Sequence, residues 1–281
     1  MLSLHIMNPH EKPLISPPAA LHSFIFHRSL IYSLAKREVL GRYQGSVFGL
    51  LWSFLNPLFM LAVYTFVFSV VFKARWHTGG DSKAEFALVL FSGLIVFNLF
   101  AECFNRAPNL VLSNVNYVKK VIFPLEILPY VSLGSALFHM LISLIVWIIF
   151  YSVFFGFPKT SIMFLPIMLF PLMLLTLGLS WFLSSVGVFL RDMSQVTGLF
   201  TTVLMFLSPV FYPVSSIPDQ YRMYIFINPL ALVIEQARNV MILNQPINWL
   251  AWTLLAAVSS ATFWLGFVWF QKTRKDFADV L

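Results

Sequence analysis

Charged side chains are distributed very unevenly along this chain. No charge falls between Arg42 and Lys73, between Glu126 and Lys159, or between Lys159 and Arg191. A lipid bilayer core is crossed by roughly 20 consecutive apolar helical residues. Each of these stretches exceeds that length, and a soluble core helix seldom needs to be apolar on every face for so long. The pattern predicts an all-α, polytopic membrane protein of six crossings, at about Phe48–Phe72, Phe86–Cys103, Leu128–Phe155, Ile162–Leu190, Val196–Phe211 and Trp249–Phe270.

The remaining segments have their own patterns. Residues 1–20 contain Pro9, Pro13, Pro17 and Pro18 and read as a flexible cytoplasmic tail ahead of a single transmembrane domain, 21–281. Within that domain 21–42 predicts a helix. At 100° per residue Leu21, Phe24, Ile25, Ile31, Tyr32, Ala35 and Val39 share one face, while Ser29, Ser33, Lys36 and Arg37 point away. This is the pattern of an amphipathic helix lying in the membrane interface, or of a short cytosolic helix packed on a partner. Residues 208–247 hold Pro209, Pro213, Pro218 and Pro229, which rule out one continuous helix. They are too apolar for a plain loop, and Glu235 and Arg238 make a poor span. Two short helices dipping back into the outer leaflet fit best, with a surface hairpin as the alternative. Broken backbone at membrane depth requires cover by protein or a water-filled cavity, so the segment is expected to line the mouth of a pathway.

Charge then sets the sidedness. Six crossings would place twelve basic residues on the side of both termini, from Lys12 to Lys275, and six (Lys73, Arg75, Lys83, Lys159, Arg222, Arg238) on the other. The positive-inside bias puts both termini in the cytoplasm. The net charge of +7 therefore reads as topology signal and partner contact, with no nucleic acid implied. The composition, 59% hydrophobic and 10% charged, agrees, and the single Cys103 excludes a disulfide framework.

Several chemistries are missing from the sequence. There is no G-x-x-x-x-G-K-[ST] phosphate loop, no H-E-x-x-H and no Cys/His cluster with metal-ligand spacing. His139 is the one ionisable side chain well inside a predicted span, and Glu102 and Glu126 stand at span ends. A carrier driven by ions normally needs intramembrane carboxylates. The chain reads as neither an enzyme nor an ion-coupled carrier, and any energy for transport would come from another chain. A membrane-bound glycosyl- or acyltransferase would need an Asp, Glu or His cluster at one interface, which the sequence does not display.

Four segments in order resemble the permease subunits of ATP-binding-cassette exporters for bacterial polysaccharides such as O-antigen, capsule and teichoic acid. They are Leu34–Pro57 (LAKREVLGRYQGSVFGLLWSFLNP), Tyr117–Pro124 (YVKKVIFP), Arg191–Gln195 (RDMSQ), and Ser208–Pro213 (SPVFYP) followed by Asn228-Pro229-Leu230. The resemblance runs from about Leu21 to the C-terminal end. It implies a homodimer in the bacterial inner membrane, seated on two cytoplasmic ATPase subunits that carry ATP and Mg, with no cofactor in this chain. The cargo would be a polysaccharide on a lipid carrier such as undecaprenyl pyrophosphate. Export of a small lipid or drug by the same architecture is the alternative.

Site residues follow from the resemblance and from residue chemistry together. By the resemblance 21–42 would be a gate helix at the lipid entrance, where Lys36, Arg37, Arg42 and Tyr43 would meet an anionic headgroup and a guanidinium offers a planar fork to phosphate; ordinary topology anchoring is the competing reading. Tyr64, Phe68, Trp147, Trp181, Phe206 and Phe211 would offer aromatic faces to sugar rings, or pack in the core or against lipid. Tyr117, Lys119, Lys120, Arg191, Asp192 and Gln195 would dock on the ATPases. Pro209, Tyr212, Pro213, Asn228 and Pro229 would form the periplasmic gate.

Overall fold

The computed structural model describes residues 16–71, 83–119 and 123–281. Lys120 lies outside them, as do the side chains of Phe68 and Lys119, and Lys73 and Arg75 of the expected outer side fall outside as well. Among the described residues every element is helical. An N-terminal arm, α1 (Pro17–Phe26) and α2 (Arg28–Tyr43), precedes six apolar helices of unequal length. These are α3 (Trp52–Tyr64), α4 (Lys83–Arg106), α6 (Leu128–Phe155), α7 (Leu165–Phe189), α8 (Met193–Leu207) and α11 (Trp249–Thr273). Short helices fill the connections: α5 (Val115–Lys119), α9 (Asp219–Ile227), α10 (Pro229–Arg238) and α12 (Phe277–Val280).

The arm begins at Pro17, four residues before the expected start, because proline at the first helical turn gives up no intrahelical hydrogen bond. It is broken at His27, so 21–42 is not one helix. Ala20, Ser23, Ile31 and Val39 face the protein, while Leu21, Phe24, Ile25 and Tyr32 are exposed. The arm thus uses a strip of mostly small or branched residues to pack on α6, where a Cβ on Gly134 would sit 3.2 Å from the Ala35 Cβ. Gly45 (φ 82°) and Gly49 (φ 49°) then turn the chain from α2 into α3. That left-handed backbone favours glycine.

Helices with their flanking turns are long and apolar enough to cross a membrane at Gly49–Val67, Ala84–Asn109, Leu125–Phe155, Thr160–Phe189 and Trp249–Val280. The expected fifth span falls short. α8 has 15 residues, or about 22 Å at 1.5 Å per residue against a core of about 30 Å. It stops at Leu207 because Ser208 is extended and Pro209 carries no N–H to continue the ladder. The hairpin that follows is two helices, Asp219–Ile227 and Pro229–Leu243, bent by 101° at their junction. Taken as one unit the pair also has the length and apolarity of a span, giving five such elements among the described residues, or six with the pair.

α4 lies at the centre of the bundle. Its membrane-spanning stretch is 89% buried, against 11% for that of α3. It packs on α6, α7, α8 and α10. It also outruns the predicted Phe86–Cys103 at its C-terminal end because Glu102 and Arg106 meet partners of opposite charge. α7 and α11 form the most extensive helix pair. They approach through glycines: a Cβ on Gly266 would lie 2.0 Å from the Gly178 carbonyl oxygen, and one on Gly178 would lie 2.4 Å from that of Thr262. Small residues at a crossing bring backbones into contact, which is a main source of helix association in lipid.

Candidate functional site

Among the described residues, three clusters gather buried or half-buried charged side chains between the helices. The first joins α2, α4 and α6. Arg42 Nη2 donates to Glu102 Oε1 at 2.6 Å, and His139 Nδ1 lies 3.0 Å from both Glu102 oxygens. Facing a carboxylate, Nδ1 is assigned the ring proton. Nε2 is then left to accept from the Tyr43 hydroxyl at 3.3 Å. A neutral imidazole satisfies both contacts, so the Arg42 Nη1 that stands 3.2 Å from Nδ1 is neighbour rather than donor. Burial holds the Tyr43 phenol above its ordinary pKa, against the pull of the Arg42 charge. Arg106 pairs with Glu38 of the arm and stands 3.7 Å from Glu102. Arg42 keeps 38% of its side chain exposed, so this cluster is a partly open patch with three nitrogen-bearing side chains and two carboxylates.

The second cluster closes the same end of the bundle. Glu126, 3% exposed, receives Arg274 Nη1 at 3.1 Å and the Ser23 hydroxyl at 3.4 Å. Its own carbonyl accepts from Trp181 Nε1 at 2.9 Å. One residue thus ties α1, the start of α6, α7 and the end of α11 together. The third cluster centres on Arg238 in α10, 1% exposed, with Nη2 donating to the Val210 carbonyl at 2.7 Å and Nε to that of Val89 at 3.3 Å.

The expected site residues separate accordingly. Arg42 and Tyr43 belong to one cluster. Lys36 and Arg37 are exposed on α2, and Arg37 Nη2 donates to the Tyr117 hydroxyl at 2.6 Å. A residue expected at the headgroup and one expected at the ATPase are therefore in direct contact. Tyr117 also stacks on Phe123, with centroids 4.3 Å apart. Arg191, Asp192 and Gln195 are exposed at the turn from α7 into α8. Asn228 Nδ2 donates to Ser208 Oγ at 2.8 Å, its Oδ1 caps α10 at Leu230 N, and Tyr212 donates to the Phe206 carbonyl. Pro209, Pro213 and Pro229 sit at the breaks on either side.

The aromatic set divides in two. Tyr64, Phe211 and Phe206 form a chain of rings with centroids 5.7 and 5.9 Å apart, Phe206 being 61% exposed. Trp147 and Trp181, by contrast, are completely buried, with their indole N–H groups on the carbonyls of Leu88 and Glu126. They cannot present a ring face to a ligand and are removed from the candidate surface. In a uniformly apolar helix nothing local distinguishes a core tryptophan from one at a surface.

Sequence reasoning also missed the partnership of His139. An ionisable group inside a span requires a partner, and of the two carboxylates at span ends, Glu102 and Glu126, nothing local in the sequence singled out Glu102. No such signal pointed to Arg238 beyond its poor fit to a membrane segment.

Residues 29–242, most of the chain and all three clusters except Arg274 and Ser23, match the ABC-2 type transporter family. The chain belongs to that family. Among proteins similar to this ABC-2 chain is the O-antigen export system permease protein RfbA of Myxococcus xanthus. It is 26% identical over 255 residues, covering 90% of this chain and 95% of that protein. The RfbA of Klebsiella pneumoniae is 26% identical over 253 residues with the same two coverages. The polysialic acid transport protein KpsM of Escherichia coli is 24% identical over 260 residues, covering 92% and 98%. These relatives are transporter permeases rather than enzymes, and so is this ABC-2 chain.

Proposed function

We propose that this permease is the transmembrane subunit of an ATP-driven exporter that carries a lipid-linked, O-antigen-like polysaccharide across the bacterial inner membrane. The observation that carries the reading is similarity along nearly the full length to permeases named for O-antigen and polysialic acid transport. The chain acts as a homodimer on two cytoplasmic ATPase subunits, which bind ATP and Mg. Both termini face the cytoplasm, and six crossings include α8.

The site chemistry supports this. Arg42 and Arg106 stand at the terminal end of the bundle with Glu102 and Glu38 as counter-charges. A pyrophosphate headgroup, such as that of undecaprenyl pyrophosphate, would compete with those carboxylates for the same guanidinium forks. Tyr64, Phe206 and Phe211 give the sugar chain an apolar, C–H-compatible path toward the hairpin, which serves as the outer gate. Arg191, Asp192 and Gln195, with Tyr117, Lys119 and Lys120, dock on the ATPases.

The test is reconstitution in proteoliposomes with the partner ATPase. The complex should hydrolyse ATP faster when lipid-linked glycan is added and should deliver glycan to the far side. Stimulation by a hydrophobic drug or short lipid, with none by the glycan, would instead establish a small-molecule exporter.

A further inference from the structure

We propose that Arg238 is the positioning residue of the hairpin. It fixes α10 to α4 and to the buried turn that follows α8, and it leaves α9 as the segment that swings about Asn228. The word gate for this hairpin rests on the function proposed above, but the division into a fixed and a moving half rests on geometry alone.

The turn that follows α8 is buried, with Ser208 and Val210 both 0% exposed, and buried backbone carbonyls need hydrogen-bond donors. Arg238 meets this need. Nη1 donates to the Pro209 carbonyl, Nη2 to the Val210 carbonyl and Nε to the Val89 carbonyl of α4. Glu235, one turn back, stands 3.2 Å from Nη1. A guanidinium presents five donors in a fixed fork, and here they reach three elements at once. The opposing wall is cut to fit, since a Cβ on Gly93 would lie 2.6 Å from Nη2. Withdrawing this side chain would strand a cation and several carbonyls in apolar surroundings, which makes the arrangement a permanent fixture rather than a latch.

Asn228 pins the other end of α10. Its side chain caps the helix at Leu230 N at 3.0 Å and donates to Ser208 Oγ at 2.8 Å. Between the two pins Leu230, Ala231, Val233, Ile234 and Ala237 are buried. α9 is different. None of its residues is buried, and Met223 and Ile227 are 77% and 71% exposed. Its polar ties are local: Arg222 bonds to Asp219 and to the carbonyls of Ser215 and Ile217. The 101° bend at Asn228-Pro229 separates the two behaviours. Hinges absorb motion in a few residues at element ends while packed elements move as bodies.

The experiment uses the full chain with its ATPase partner in lipid nanodiscs, with labelled subunit diluted into unlabelled subunit. Spin-label pairs at Met163→Cys with Asn239→Cys report α10's far end, and Met163→Cys with Met223→Cys report α9. Without nucleotide the first pair should give a narrow distance distribution and the second a broad one. Arg238→Met should broaden the first pair, and Arg238→Lys should restore part of its sharpness. Gly93→Ala, which displaces the guanidinium without removing charge, should broaden it as well and covers the case in which Arg238→Met fails to fold. Equal widths for the two pairs in the unmodified chain would overturn the proposal. So would a first pair that stays narrow in both Arg238→Met and Gly93→Ala. None of these readings needs glycan or ATP, so they stand or fall apart from the export function. Glycan export by the same variants is then expected to be lost in Arg238→Met and partly recovered in Arg238→Lys.

Discussion

Arg42 and Glu102 are 60 residues apart in sequence and meet at 2.6 Å, joining the N-terminal arm to the central helix of the bundle. The same carboxylate holds His139, so three elements share one charge. The pair is partly open, with 38% of the Arg42 side chain and 18% of the Glu102 side chain exposed.

Arg42→Ala should reduce glycan export about tenfold or more, because a charge-assisted hydrogen bond contributes roughly 1.5–3 kcal/mol. Arg42→Lys should recover part of it, since ammonium lacks the planar fork. Export assays on correctly inserted protein check this, and wild-type export by Arg42→Ala would leave the residue as an anchor. Glu102→Gln combined with Arg42→Ala should cost less stability than the two changes summed, as contacting residues do not behave additively.

Sidedness can be read with an impermeant thiol reagent applied to intact cells. Phe157→Cys, at a position 94% exposed between α6 and α7, should label from outside, and Lys275→Cys should not. The reverse result would invert the assigned orientation.

The two kinds of aromatic residue should separate cleanly. Trp181→Phe removes the donor to the Glu126 carbonyl and should destabilise the detergent-solubilised protein by about 1–3 kcal/mol. Phe206→Ala, at an exposed ring, should change stability by no more than about 0.5 kcal/mol while lowering export. Thermal unfolding paired with export assays tests both. Normal export by the Phe206→Ala variant would exclude Phe206 from the pathway.

Arg191→Glu and Asp192→Lys change exposed groups at the α7–α8 turn. Each should leave the melting temperature nearly unaltered yet uncouple ATP hydrolysis from export. Export at the unmodified rate in both variants would place the ATPase contact elsewhere.

Gly266→Val should be among the most damaging single changes. Its side chain would start 2.0 Å from the Gly178 carbonyl oxygen, and overpacking typically costs about 1–3 kcal/mol, occasionally more. Loss of monodisperse protein on size-exclusion chromatography is the expected result, and Gly198→Val, with open space around it, is the control.

The sequence by itself determined where most of the long apolar helices lie, because lipid admits almost no charge and a soluble fold seldom leaves such long stretches free of it, whereas the expected fifth span came out as the 15-residue α8. The span expected at about Leu128–Phe155 is where α6 runs. Proline marked the breaks at Ser208 and Asn228 for an equally local reason, the missing donor. Only the tertiary structure decided which side of each helix faces protein. In a soluble helix an apolar stripe points to the core, but a helix bathed in lipid is apolar all round, so Trp181 and Phe206 look alike in sequence although one is buried and the other exposed. The polar clusters were illegible for a related reason. Arg42, Glu102 and His139 come from three helices, and Arg238 meets Val89 across 149 residues. Each of these groups is costly in lipid alone and stable once paired, and that pairing is fixed by how the helices pack.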